Sequence, residues 1–229
     1  MIYGNLAKET AAKNEAHEDI TYYDMLCAIG EASLVLESDQ EFVFTEETLL
    51  EGTNIETLKA FREGKKKLKP HLKALKKALK SANKEEAKSE VKQCDTIIND
   101  MKKAIKEIPD QTSSAVLGLF FNGIVDLFKA SLVTFGLGAS YTGAGVAVGG
   151  SLAGSLNAIK AGYNIANAGS IVSWIGTIIS NIKAIIKIAN TVKEKNGPVK
   201  VKDLNMWKAK LLSFVDDYQK KLDKLANAV

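Results

Sequence analysis

Few residues in this chain can do chemistry, and their spacing argues against most of it. His17 and His71 are its two histidines. They stand too far apart in sequence to form a local metal motif, and His17 beside Glu18 lacks the second histidine that a zinc-protease helix places one turn on. Cys27 and Cys94 each fall on the apolar stripe of a predicted helix, the pattern of buried free thiols rather than of a disulfide or metal site, and this points to a reducing origin. Gly143 and Gly145 share the opening of a dinucleotide loop, but no strand pattern precedes them and no third glycine stands where that loop requires one. The chain contains no G-x-S-x-G elbow, phosphate-binding loop or cysteine-pair motif. The expectation is a protein without catalytic residues, cofactor, metal or small-molecule substrate.

Lysines and glycines do have a meaningful spacing. Lys65, Lys66, Lys67, Lys69, Lys73, Lys76 and Lys77, with Arg62 and Lys80 beside them, form a basic patch. Such a patch can meet anionic lipid or nucleic acid, and the lack of interleaved aromatics disfavours nucleic acid. The plainer reading is a solvated helix face opposite an acidic arm. Residues 1–58 hold two lysines against 13 Asp and Glu, whereas residues 59–106 hold 16 Lys and Arg against six acids. Gly145 with Gly149, and Gly150 with Gly154, each make a G-x-x-x-G, a spacing that lets helix backbones approach closely. The same glycines weaken a helix by about 1 kcal/mol each relative to alanine. The segment around them therefore reads as a third close-packed helix, a re-entrant turn or a flexible tip.

These glycines belong to the most distinctive stretch of the chain. From Gln111 to Ile182 there are 72 residues with three charged side chains, Asp126, Lys129 and Lys160, and 12 of the 17 glycines. No ordinary surface can be built from it, so protein, partner chains or lipid must cover it. Within it, Ser113 to Phe135 is apolar on nearly every helical face and long enough to cross a bilayer, with Thr112 or Ser113 as its cap and Phe120, Phe121 and Phe128 as contact residues. A second candidate runs from Ser170 to about Thr191. It carries Ile175, Ile178, Ile182 and Trp174 toward one side and Ser173, Gly176, Thr177 and Ser180 toward the other. Lysines at both outer flanks favour a hairpin.

The elements that must hold this hairpin are charged amphipathic helices. Residues 5–16 and 20–37 are helix candidates, and Glu41 to Thr45 alternates like a short strand. Thr53 with Glu56 resembles a capping box, Pro70 should kink or restart the helix that follows, and Leu68, Leu72, Leu75 and Leu79 repeat at four, three and four. Asn83 with Glu86 is a second start signal, so Ser81 to Asn83 is either a turn or a stutter in one long helix. Past Asn196, Gly197 and Pro198, Asp203 can cap a last helix whose stripe is Leu204, Trp207, Leu211, Phe214, Tyr218, Leu222 and Leu225. That helix should pack on 84–108.

The fold class is therefore all-α, an elongated helical bundle or stalk with a Gly-rich apolar helical hairpin. Its parts are an acidic N-terminal arm (1–52), a basic coiled-coil-like stalk (53–110), the hairpin (111–195) and a C-terminal amphipathic helix (196–229). Residues 113–135 and 136–190, between charged helices, give an arrangement that resembles, in architecture, α-helical pore-forming toxins of the cytolysin A type. It is also similar in character to bacteriophage ejection proteins. That likeness implies an oligomeric protein whose apolar segment enters a membrane as a pore or conduit. The competing expectation is a structural component of a large assembly such as a virion, with the segment buried between subunits. The N-terminal stretch lacks the basic and apolar regions of a secretory signal, so the expectation is synthesis in the cytoplasm followed by association with an assembly or virion, and insertion into a membrane if the first reading holds.

Overall fold

A computed structural model describes residues 55–135, 165–194 and 197–227. These residues are 88% helical, in five helices and with no strand among them, so the described protein is all-α. The helices are α1 (Ile55–Lys80), α2 (Lys84–Lys106), α3 (Ser114–Thr134), α4 (Ile165–Lys193) and α5 (Val201–Asn227). The acidic arm, the strand candidate at Glu41 to Thr45, the start signal at Thr53, and Gly145, Gly149, Gly150 and Gly154 all lie outside the described residues.

Amphipathic spacing explains α1. Leu68, Leu72, Leu75 and Leu79 are each at most 1% exposed, while Lys66, Lys69, Lys73 and Lys77 point outward from the opposite face. The helix runs through Pro70 as one element rather than restarting there. Pro70 cannot bond the carbonyl of Lys66, but both residues are exposed, so that carbonyl faces water and the usual loss is reduced.

Ser81 to Asn83 is a turn, not a stutter. Ala82 adopts a left-handed φ of 51°, and the Asn83 amide bonds back to the Ala78 carbonyl at 2.9 Å. The Asn83 side chain then caps α2, accepting from the Glu86 amide at 3.2 Å while its own amide nitrogen donates to the Glu86 carboxylate at 3.1 Å. α2 therefore returns antiparallel to α1, and the His71–Glu90 contact at 2.8 Å marks the register.

Ser113 caps α3 by accepting from the Val116 amide at 3.3 Å. α4 begins at Ile165, five residues before the expected Ser170, and α5 begins at Val201. Asp203 therefore sits inside the first turn of α5 rather than capping it. There its negative charge still complements the helix dipole.

The main packing runs in a closed circuit, α1 on α2, α2 on α5, α5 on α4, α4 on α3 and α3 on α1, and side chains of α5 also reach across to α3. α3 runs antiparallel to α4, with Phe135 meeting Trp174 edge-on at 4.8 Å at one end. At the other end two backbone bonds clamp the entries to α3 and α5, from Ser114 to the Gly197 carbonyl and from Val199 to the Thr112 carbonyl, both at 3.0 Å. α3 runs parallel to α1, since Phe61 meets Phe120 at 5.2 Å, Lys65 meets Asp126 at 2.9 Å, and Lys76 reaches the Thr134 carbonyl at 2.9 Å.

Candidate functional site

Helices α3 and α4 carry far fewer charged residues than the other three, and among the described residues the exposed polar face of α4 is confined to Lys183, Lys187, Asn190 and Thr191 in its second half. Both are long and apolar enough to cross a membrane, over Ser114–Thr134 and Gly169–Val192, a criterion that core helices of soluble proteins also meet. At 1.5 Å per residue these spans reach roughly 32 and 36 Å, against about 30 Å of hydrocarbon in a bilayer. The two helices are adjacent and antiparallel.

Both helices pack against the rest of the chain. Phe120, Phe121 and Phe128 on α3, and Trp174, Ile175, Ile178 and Ile182 on α4, are buried in one continuous core with the leucine stripe of α1 and the inner faces of α2 and α5. From Ile171 to Gly176 six successive residues of α4 are buried, so that stretch is enclosed on all sides.

Tyr218 of α5 meets both apolar helices. Its ring stacks on Phe128 at 5.2 Å, with planes 21° apart, and lies 5.7 Å from Trp174. Ser131 donates to the Leu127 carbonyl at 2.9 Å, and its hydroxyl also meets the Tyr218 phenol at 2.8 Å. Burial pushes the phenol well above its ordinary titration range, opposed by the Ser131 bond, and keeps it neutral. Periodicity placed Tyr218 on the stripe, but nothing in sequence spacing pairs it with Ser131, 87 residues away.

Cys94 is buried nearby on α2. Burial foremost, then the charges of Glu90 and Asp95, push its thiol up to about 12, so it is an unreactive thiol in the folded protein. No group of three or more His, Cys, Asp or Glu among the described residues is placed to hold a metal ion. A cleft of about 270 Å³ between α1 and α2 is lined by both signs of charge, Glu63, Asp100 and Glu107 against Lys67 and Lys103. It contains no nucleophile paired with a base.

The basic patch divides in two. Lys65 pairs with Asp126, and Lys76 donates to the last carbonyl of α3, where burial, then the charge of Lys80, lowers its pKa. Lys66, Lys67, Lys69, Lys73 and Lys77 are exposed. At the C-terminal end of α3, next to the Thr134 that Lys76 contacts, Val133 is 48% exposed, one of three large apolar residues so exposed among the described residues. Neither Val133 nor the close fit of Gly123 against Phe61 was legible in the sequence, because both follow from how α3 is rotated against α1.

No protein-family model, no curated protein and no solved structure matches this chain.

Proposed function

We propose that this is a non-enzymatic, oligomeric helical protein that carries a membrane-inserting apolar hairpin sheathed in an elongated bundle of its own amphipathic helices and acts by forming a pore or conduit. One observation carries the reading: two helices of bilayer-crossing length, α3 and α4, are adjacent and antiparallel, and the chain covers them with helices whose outer faces are charged. A hairpin of this kind needs no new secondary structure to enter lipid, because its backbone bonds are already made within each helix.

A second reading, a structural component of a large assembly such as a virion, is favoured by the Tyr218–Ser131–Phe128 lock, which holds α3 to α5 as a permanent core would. The two readings separate in a dye-leakage assay on sealed vesicles. The folded full-length protein is expected to release entrapped dye from vesicles under the pore reading. Protein that stays folded and oligomeric yet releases no dye, across lipid compositions and pH, would leave the structural reading standing and overturn the first.

A further inference from the structure

We propose that the exposed lysine row on α1 docks on anionic lipid headgroups and so sets which end of the hairpin meets the bilayer; this rests on the membrane reading above. Lys66, Lys69, Lys73 and Lys77 follow one another at three, four and four residues, which places them within about 80° of arc on an ideal helix, opposite the leucine stripe. All four are exposed, whereas Lys65 and Lys76 at the edge of the row are engaged with α3. Antiparallel packing brings the exposed Lys88 and Lys92 of α2 to the same half of the α1–α2 pair. The acids of that half are largely engaged: Glu90 meets His71, and Glu86 belongs to the Asn83 cap. Glu85 remains exposed beside them.

Position selects the ligand. The row runs parallel to α3 and its later members lie beside the C-terminal end of that helix, where Lys76 caps Thr134 and Val133 is exposed. Cations flanking an exposed apolar side chain at the end of a bilayer-length helix match a headgroup layer above hydrocarbon. Single-stranded nucleic acid would call for aromatic platforms among the cations, and the aromatic ring of α1, Phe61, is buried. Duplex nucleic acid requires only cations, and the test below includes it.

The test is flotation of the full chain with vesicles of phosphatidylcholine alone or mixed with phosphatidylglycerol, at low and high salt. Each near-surface lysine is worth about 1 kcal/mol, or about fivefold in partitioning. Lys66→Gln, Lys69→Gln, Lys73→Gln and Lys77→Gln together are expected to weaken binding to anionic vesicles by roughly two orders of magnitude or more at low salt. A control with the same charge change on exposed positions elsewhere, Lys200→Gln, Lys202→Gln, Lys220→Gln and Lys224→Gln, is expected to lose far less. Restoring the row as arginine is expected to restore binding.

The proposal is overturned if the control falls as far as the row variant, if the native protein floats equally with neutral vesicles, or if a duplex or single-stranded oligonucleotide binds through the row while vesicles do not. Flotation without dye release would keep the docking surface and sink the pore reading. Undiminished dye release by the row variant would do the reverse.

Discussion

The α1–α2 pair and the α3–α4 pair are both antiparallel helices within one chain, yet they obey different rules. α1 and α2 bury one stripe and give lysines and carboxylates to water. α3 and α4 bury most of their apolar residues against the rest of the chain and expose narrower faces. The first pair is ordinary amphipathic construction, in which the outer face is free for electrostatic contact. The second is apolar surface that packs against the other three helices.

The largest expected contrast comes from adding a charge to each pair. Ile178→Lys puts an ammonium where the side chain is fully buried, and it is expected to cost on the order of 5 kcal/mol, enough to unfold a domain of ordinary stability. Lys69→Glu on the outer face of α1 is expected to change stability by no more than about 0.5 kcal/mol. Chemical denaturation of both variants checks this, and an Ile178→Lys protein as stable as its parent would mean that α4 is not enclosed.

Glycine substitutions sharpen the comparison. A Cβ at Gly123 of α3 would press into the Phe61 ring, with Cδ1 at 2.9 Å, whereas one at Gly64 of α1 would meet Met101, at 2.7 Å from Cγ and 2.9 Å from Sδ. An aromatic ring packed against Phe120 cannot yield, but a methionine can rotate away. Gly123→Ala is therefore expected to destabilise by about 1–3 kcal/mol. In Gly64→Ala the helix propensity gain of about 1 kcal/mol offsets most of the strain. Equal losses in thermal melts would show that both helix contacts are equally rigid.

Tyr218→Phe removes one buried hydrogen bond and leaves Ser131 bonded to Leu127, so a loss of about 1 kcal/mol is expected. If the hairpin leaves its sheath during action, the same change is expected to speed dye release, since it weakens the lock. A smaller effect is expected at the α2–α5 contact. Burial, then the neighbouring Asp95 charge, raises the pKa of Asp223, so its ionised form is disfavoured in the folded protein. That penalty is absent at acid pH and appears as pH rises through the folded pKa. Asp223→Asn is expected to raise the unfolding midpoint slightly at neutral pH and leave it unchanged in acid.

How much of this was legible in the sequence follows the same division. The leucine repeat of α1, the Asn83 start signal and most of the α5 stripe were readable, because local periodicity and side-chain capping determine them, whereas the cap of α3 was narrowed only to Thr112 or Ser113. On α5 it is Val215 that is fully buried, and the expected Phe214 is half-buried, a shift of one position that helix rotation decides. The start of α4 was misplaced because Asn167 and Gly169 are poor helix formers, and propensity is a weak prior beside tertiary packing. At the candidate site the sequence identified the apolar helices and the lysines. It could not show which lysines α3 engages, nor that Tyr218 meets both α3 and α4, since those depend on contacts between distant segments.

The chain supplies its own probe for the central claim, because its two tryptophans fall one on each side of the comparison: Trp174 on apolar α4 and Trp207 on amphipathic α5. With Trp207→Phe, Trp174 is the sole emitter, and with Trp174→Phe it is Trp207. Each protein is mixed with anionic vesicles whose acyl chains carry bromine at a defined depth, and quenching is read. If α4 enters the bilayer, Trp174 is expected to be quenched strongly and Trp207 weakly, with quenching of Trp174 deepening as dye is released. Trp174 fluorescence that is unchanged by brominated lipid, in protein that has bound the vesicles, would show that the hairpin stays sheathed and would contradict the proposed function.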